Sequence, residues 1–200
     1  FDFGKLWHTL FEPNVGVTFL ITLIFMLAFS CAIIYGYQPF TLKVLGISPS
    51  QNAILFTLFG IVGLISQTFI VGKVSKRFGV KHSFSGAILF TAFSFLIMFI
   101  SKSIVVFVIA SIILGVFNSI AQTLLPTILS QEADAKSQGS IMGLNASYQS
   151  IGMIVGPLLG GVVASIAIPL PFLVGSILIM VCFYLSFKIL KPGVRKESAF

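Results

Sequence analysis

The sequence predicts an all-α integral membrane protein, a bundle of six transmembrane helices. Three observations carry this. Hydrophobic residues make up 57% of the 200 residues and charged residues only 8%, against about 25% charged in an ordinary soluble domain. The mean hydropathy is +1.10. Apolar runs long enough to cross about 30 Å of hydrocarbon, at about 1.5 Å per residue, recur along the chain. They cover 15–37, 52–72, 83–100, 104–129, 140–168 and 171–190. All but the last are free of charge, and its exception, Lys188, sits near the end, where its stem can snorkel. A membrane barrel would show alternating segments of about ten residues. These runs are longer and apolar on every side, so helices are expected.

Before the first span, 1–14 mixes Phe, Leu and Trp with Lys, Asp and His, and Trp7 and Lys5 suit the headgroup zone. A linker or interfacial helix is expected there. The chain starts at Phe1 rather than Met and lacks the basic n-region of a signal peptide, which reads as a fragment or processed piece. The first span ends in Tyr35, Tyr37 and Gln38 before Pro39. The second carries Gly60, Gly63 and Gln67 on one face. The third is an uncharged apolar run. The fourth aligns Ser111, Gly115, Asn118 and Gln122, the last two an i, i+4 amide pair. The fifth contains Gly143, Gly152, Gly156, Pro157, Gly160 and Gly161. At about 100° per residue, Asn145, Gln149, Gly152 and Gly156 fall within a band of roughly 60°. Such glycines destabilise a helix in water by about 1 kcal/mol each relative to Ala. In lipid they are tolerated and let another helix approach closely. Cys31 and Cys182 lie inside apolar runs and read as buried apolar residues, not as a disulfide or metal pair. Spans one to three and four to six could form an inverted pair, though no sequence match supports it.

Six spans put both termini on one side. That side carries Lys5, Lys73, Lys76, Arg77, Lys81, Lys136, Lys188, Lys191, Arg195 and Lys196, and the other carries only Lys43 and Lys102. By the positive-inside rule both termini, including a basic tail at 191–200, are cytoplasmic. The net charge of +7 is then a matter of topology and calls for no nucleic acid. The lipid bilayer is the expected partner. No Asp, Glu or His lies within a span, so no catalytic residue, metal site or cofactor is expected, and the chain does not read as an enzyme.

Two motifs resemble a known family. The segment Gly72-Lys73-Val74-Ser75-Lys76-Arg77-Phe78-Gly79-Val80-Lys81 reads as a tight turn. It resembles a degenerate copy of the G-x-L-A-D-R-x-G-R-K loop of the major facilitator superfamily. Gly72, Arg77, Gly79 and Lys81 match, while Lys76 stands in place of Asp and Val80 in place of Arg. The glycine pattern of the fifth span resembles motif C of the drug–proton antiporters, which has a related copy in the eleventh helix. The lost Asp, the lack of Arg in the fourth span and the linker-like start favour helices 7–12 over 1–6. The resemblance thus implies half of a carrier, with the amino-terminal six-helix half missing and any coupling carboxylate located there.

The resemblance implies secondary transport of a small organic solute, in the manner of a multidrug efflux antiporter, by alternating access. It places the chain in a bacterial plasma membrane. Substrate-cavity candidates are Tyr35, Gln38, Gln67, Asn118, Gln122, Asn145 and Gln149. Each has a plainer alternative: an interfacial belt for Tyr35, and interhelical hydrogen bonding or packing for the amides. The stripe Gly152, Gly156 and Gly160 reads as helix packing or as a flexible face, and Pro157 as a kink or a hinge. A non-transporting six-span interaction or sensor subunit is the alternative function, and an intramembrane enzyme the third.

Overall fold

The computed structural model describes residues 15–133 and 137–190. The expected interfacial segment 1–14, Lys136 and the basic tail 191–200 lie outside the described residues. Among the described residues six helices are long and apolar enough to cross a membrane: α1 Gly16–Lys43, α2 Pro49–Phe78, α3 Val80–Ile100, α4 Ile104–Glu132, α5 Gln138–Ile166 and α6 Leu170–Leu190. No strand occurs among the described residues. The helices run beyond the uncharged stretches because a helix does not stop where its charges begin. Lys43, Lys76 and Arg77 occupy last turns, where a cation complements the partial negative charge of the helix end.

Local chemistry explains the joints. α2 starts in a capping box. The Ser48 hydroxyl accepts from the Gln51 backbone N–H at 3.3 Å, the Gln51 side chain accepts from the Ser48 N–H at 2.9 Å, and Pro49 follows. Between α2 and α3 the expected turn over 72–81 contracts to one residue. Gly79 has φ +80°, and its N–H donates to the Ser75 carbonyl at 2.9 Å. Gly72 is helical, with open space where a Cβ would stand, so of these two motif glycines Gly79 alone uses the positive φ open to glycine. Two helices contain π-helical turns, Ser30–Gly36 in α1 and Ser66–Ile70 in α2.

α3 packs on α4 and α6, α1 on α5 and α6, and α2 leans mainly on α4. Phe40, Phe107 and Phe172 meet between α1, α4 and α6, with centroids 5.2, 5.2 and 6.0 Å apart. Lipid tails are as apolar as these rings, so close packing rather than escape from water holds the helices together.

α5 meets α1 through its glycines. A Cβ on Gly152 would lie 2.7 Å from Met26 Cβ, and one on Gly160 2.9 Å from the Cys31 carbonyl. One on Gly156 would lie 2.4 Å from Ser30 Cβ and 2.8 Å from the Leu27 carbonyl. Backbone thus rests on backbone along the middle of α1, from Leu23 into its π turn. Gly143 faces open space, and Gly161 is in ordinary contact with the Tyr35 ring. α5 remains helical through Pro157.

At the end of the bundle where α1 and α3 begin and α4 and α6 finish, four helices share one polar cluster. Lys81 Nζ donates to Glu132 Oε1 at 3.1 Å and to the Ile189 carbonyl at 3.0 Å, and the Thr18 hydroxyl donates to Glu132 Oε2 at 2.7 Å. Glu132 sits in the last turn of α4, where its charge opposes the helix dipole. Lys81 offsets that charge and caps α6.

Candidate functional site

α4 carries a polar face in an otherwise apolar helix. Asn118 and Gln122 lie one turn apart, with Ser119, Thr123 and Pro126 beside them. α2 brings Gln67 to the same place, and these six residues line a cavity of about 230 Å³. Two features put Gln67 there. Gly63 and Gly115 let the helices approach: a Cβ on Gly63 would lie 3.0 Å from Ser119 Oγ, and one on Gly115 3.1 Å from the Val62 side chain. The π turn that contains Gln67 is then tied to α4 by the Ser66 hydroxyl, which donates to the Val116 carbonyl at 2.9 Å. A π turn inserts an extra residue and re-aims the side chains around it.

The cavity is uncharged and rich in acceptors. Asn118 is 5% exposed, and its buried Oδ1 has no hydrogen-bond partner. Such an orphan is uncommon, because an unsatisfied buried polar atom costs about 1–3 kcal/mol. Ser119 and Thr123 donate their protons to their own helix, to the carbonyls of Gly115 at 2.7 Å and Ser119 at 2.9 Å, and so offer lone pairs. Pro126 has no N–H to give the Gln122 carbonyl one turn earlier, which frees another acceptor. The amides of Gln67 and Gln122 supply donors. This arrangement can bind a polar uncharged or donor-bearing group by hydrogen bonds. Ser119, Thr123 and Pro126 were not among the residues singled out from sequence. The spacing of Pro126, four residues after Gln122, was the signal for the freed carbonyl.

The other candidates lie elsewhere. Asn145 is buried, but it faces α1: the Thr22 hydroxyl stands 3.0 Å from Asn145 Oδ1 and 3.1 Å from the Thr18 carbonyl, one proton serving both. Its geometry is that of an interhelical bridge. Gln149 is half-buried and outside the α2–α4 cavity. Tyr35 packs its ring on Gly160 and Gly161, and Gln38 is exposed, its carbonyl accepting from the Thr41 hydroxyl at 3.0 Å. Three of the seven candidates therefore meet in one cavity. Of the loop-motif residues, Lys81 belongs to the cluster with Glu132, and the exposed Arg77 has its guanidinium 5.4 Å from the Phe78 ring centroid.

Comparison with known proteins gives a consistent picture. A family model described as Major Facilitator Superfamily matches residues 18–200. The chain is similar to the "Proton-coupled antiporter flippase LtaA" of Staphylococcus haemolyticus, 32% identical over 61% of this chain and 31% of that protein. It is 28% identical to "Multidrug resistance protein 2" of Bacillus subtilis over 85% of this chain and 42% of that one. It is 27% identical to "Tetracycline resistance protein, class C" of Escherichia coli over 87% and 43%. The chain thus spans less than half the length of these relatives. Among solved structures, the human organic anion transporter MFSD10 (TETRAN) superposes with a TM-score of 0.79 at 18% identity, over 86% of this chain and 40% of that one, a likeness of fold.

Proposed function

Since the chain belongs to the Major Facilitator Superfamily, with residues 18–200 matching the family model, we propose that it forms the carboxy-terminal six-helix half of a secondary carrier. In this reading it moves a small organic solute across a bacterial plasma membrane by alternating access, rocking against an amino-terminal half around a midplane site. The polar cavity of Gln67, Asn118 and Gln122 carries the reading, because its orphaned Asn118 acceptor stands ready for a solute donor. Drug-efflux function is favoured by the multidrug and tetracycline resistance proteins among its relatives. The end bearing Lys73, Lys76, Arg77 and Lys81 is cytoplasmic in this proposal, by the positive-inside rule.

The absent half is the proposed partner of α2 and α5. These are the least buried helices, leaving Ile54, Leu64 and Ile65 on α2 and Ile154, Leu158 and Val162 on α5 exposed. Vesicles holding this chain alone are expected to show no ethidium or tetracycline transport above empty vesicles, while the chain joined to six preceding spans restores it. Transport by the chain alone would defeat the half-carrier reading.

A further inference from the structure

A second cavity, of about 450 Å³, opens between α2, α3 and α4 and is almost wholly apolar. Its walls are Ile70, Val74 and Phe78 on α2, Gly86 on α3, and Val116 and Ile120 on α4. The stacked rings of Phe90 and Phe117, 4.4 Å between centroids, also line it. From His82 at its mouth to Phe90, the groove follows α3 for about 12 Å at about 1.5 Å rise per residue. That is close to one hydrocarbon leaflet of about 15 Å, half of the bilayer core.

Cations flank the mouth without lining the cavity itself. On α2, Arg77 lies within about 60° of Val74 at about 100° per residue, its guanidinium 5.4 Å from the ring of the wall residue Phe78; Lys73 is one turn back, about 100° from Val74, and the exposed His82 lines the mouth from α3. α2 and α3 contain no Asp or Glu. Among the described residues the one ion pair is Lys81 with Glu132, so Lys73 and Arg77 have no carboxylate partner there. The mouth is held in shape by Ser83, whose Oγ lies 3.1 Å from the Val74 carbonyl and 2.7 Å from the Gly79 carbonyl. Gly86 keeps the groove open, with nothing within 4 Å of where its Cβ would stand.

We propose that this groove is a binding site for an anionic phospholipid of the bilayer, one acyl chain lying along α3 and the head-group phosphate held by Lys73 and Arg77. The site is separate from the Gln67–Asn118–Gln122 cavity and does not depend on which solute is carried. The match is of length, polarity and charge: an apolar slot about one leaflet deep whose open end is flanked by cations that have no carboxylate partner among the described residues.

The test uses the whole carrier in lipid nanodiscs, with tryptophans replaced and Phe117→Trp introduced as a probe on the groove wall. Chains brominated on phosphatidylglycerol are expected to quench this probe at about 25-fold lower mole fraction than brominated phosphatidylcholine, about fivefold for each of the two cations. A control, Tyr184→Trp on the exposed face of α6, is expected to show no preference. Replacing Lys73 and Arg77 by Gln is expected to lower the preference about fivefold per cation. Gly86→Leu, which fills open space, is expected to abolish quenching by both lipids at Phe117→Trp. Equal quenching by the two lipids at that position would overturn the proposal by showing only annular lipid. No quenching by either would overturn it by showing that protein covers the groove.

Discussion

Adding one methyl group at Gly156 tests whether α5 is held by backbone contact with α1. In Gly156→Ala the new Cβ would stand 2.4 Å from Ser30 Cβ, where ordinary contact begins at 3.4 Å, so at least 1.0 Å must be found. The Leu27 carbonyl at 2.8 Å and the Cys31 N at 3.0 Å are backbone and cannot rotate away. The helices must therefore separate. A radial gap of about 0.5–1 Å already forfeits a quarter to a half of each dispersion contact, and overpacking of this kind costs about 1–3 kcal/mol. The gain in helix propensity from Gly to Ala, about 1 kcal/mol at most, offsets part of that. Because two of the three close atoms are backbone, the overpacking cost falls at the upper end of that range, about 3 kcal/mol, and the expected net loss is about 2 kcal/mol, read as a shift in reversible SDS-driven unfolding in mixed micelles by circular dichroism. Gly143→Ala meets open space and serves as the control, expected to be neutral or slightly stabilising. If Gly156→Ala unfolds with wild type, or Gly143→Ala is equally damaging, the packing argument is wrong.

The same unfolding assay reads three further contacts. Gly79→Ala forces a side chain to φ +80°, ψ +155° and is expected to lose about 1–3 kcal/mol, whereas Gly72→Ala, helical and unobstructed, should lose nothing; equal effects would contradict the single-residue joint. Thr22→Val removes the donor to Asn145 and is expected to destabilise by about 0.6 kcal/mol, with roughly 1.7 as the ceiling; a neutral result would mean that Asn145 finds its partner elsewhere. A double-mutant cycle of Lys81→Met with Glu132→Gln is expected to give a coupling of about 0.5–1 kcal/mol that shrinks with salt, since the Lys81 side chain is 34% exposed. A coupling of zero at low salt would show that the pair holds nothing together.

The six helices were legible because lipid leaves so little choice: a charge-free run of this length can satisfy its backbone only as a helix. The ends were less so, since the uncharged run stops at the first lysine while the helix continues through it, as α2 does to Phe78. Asn118 and Gln122 could be paired by spacing alone. That Gln67 joins them depends on Gly63 meeting Gly115 and on a π turn, neither of which leaves a periodic signal. The face shared by Asn145 and the glycines was visible, but its neighbour α1, with Thr22 as the hydrogen-bond partner, comes from far back in the chain. Glu132 could be counted among the acids, yet its contact with Lys81 is tertiary and unrelated to local spacing.

The claim that solute binds between α2 and α4 is tested most directly by protection at Gln122. With Cys31 and Cys182 replaced by Ser and Gln122→Cys introduced into the whole carrier, a small polar thiol reagent should label the half-buried cavity position. Saturating whichever of ethidium or tetracycline the carrier exports should slow that labelling at least about fivefold, while labelling at Tyr184→Cys stays unchanged. Labelling of Gln122→Cys that proceeds at the same rate with and without the exported solute would contradict the site.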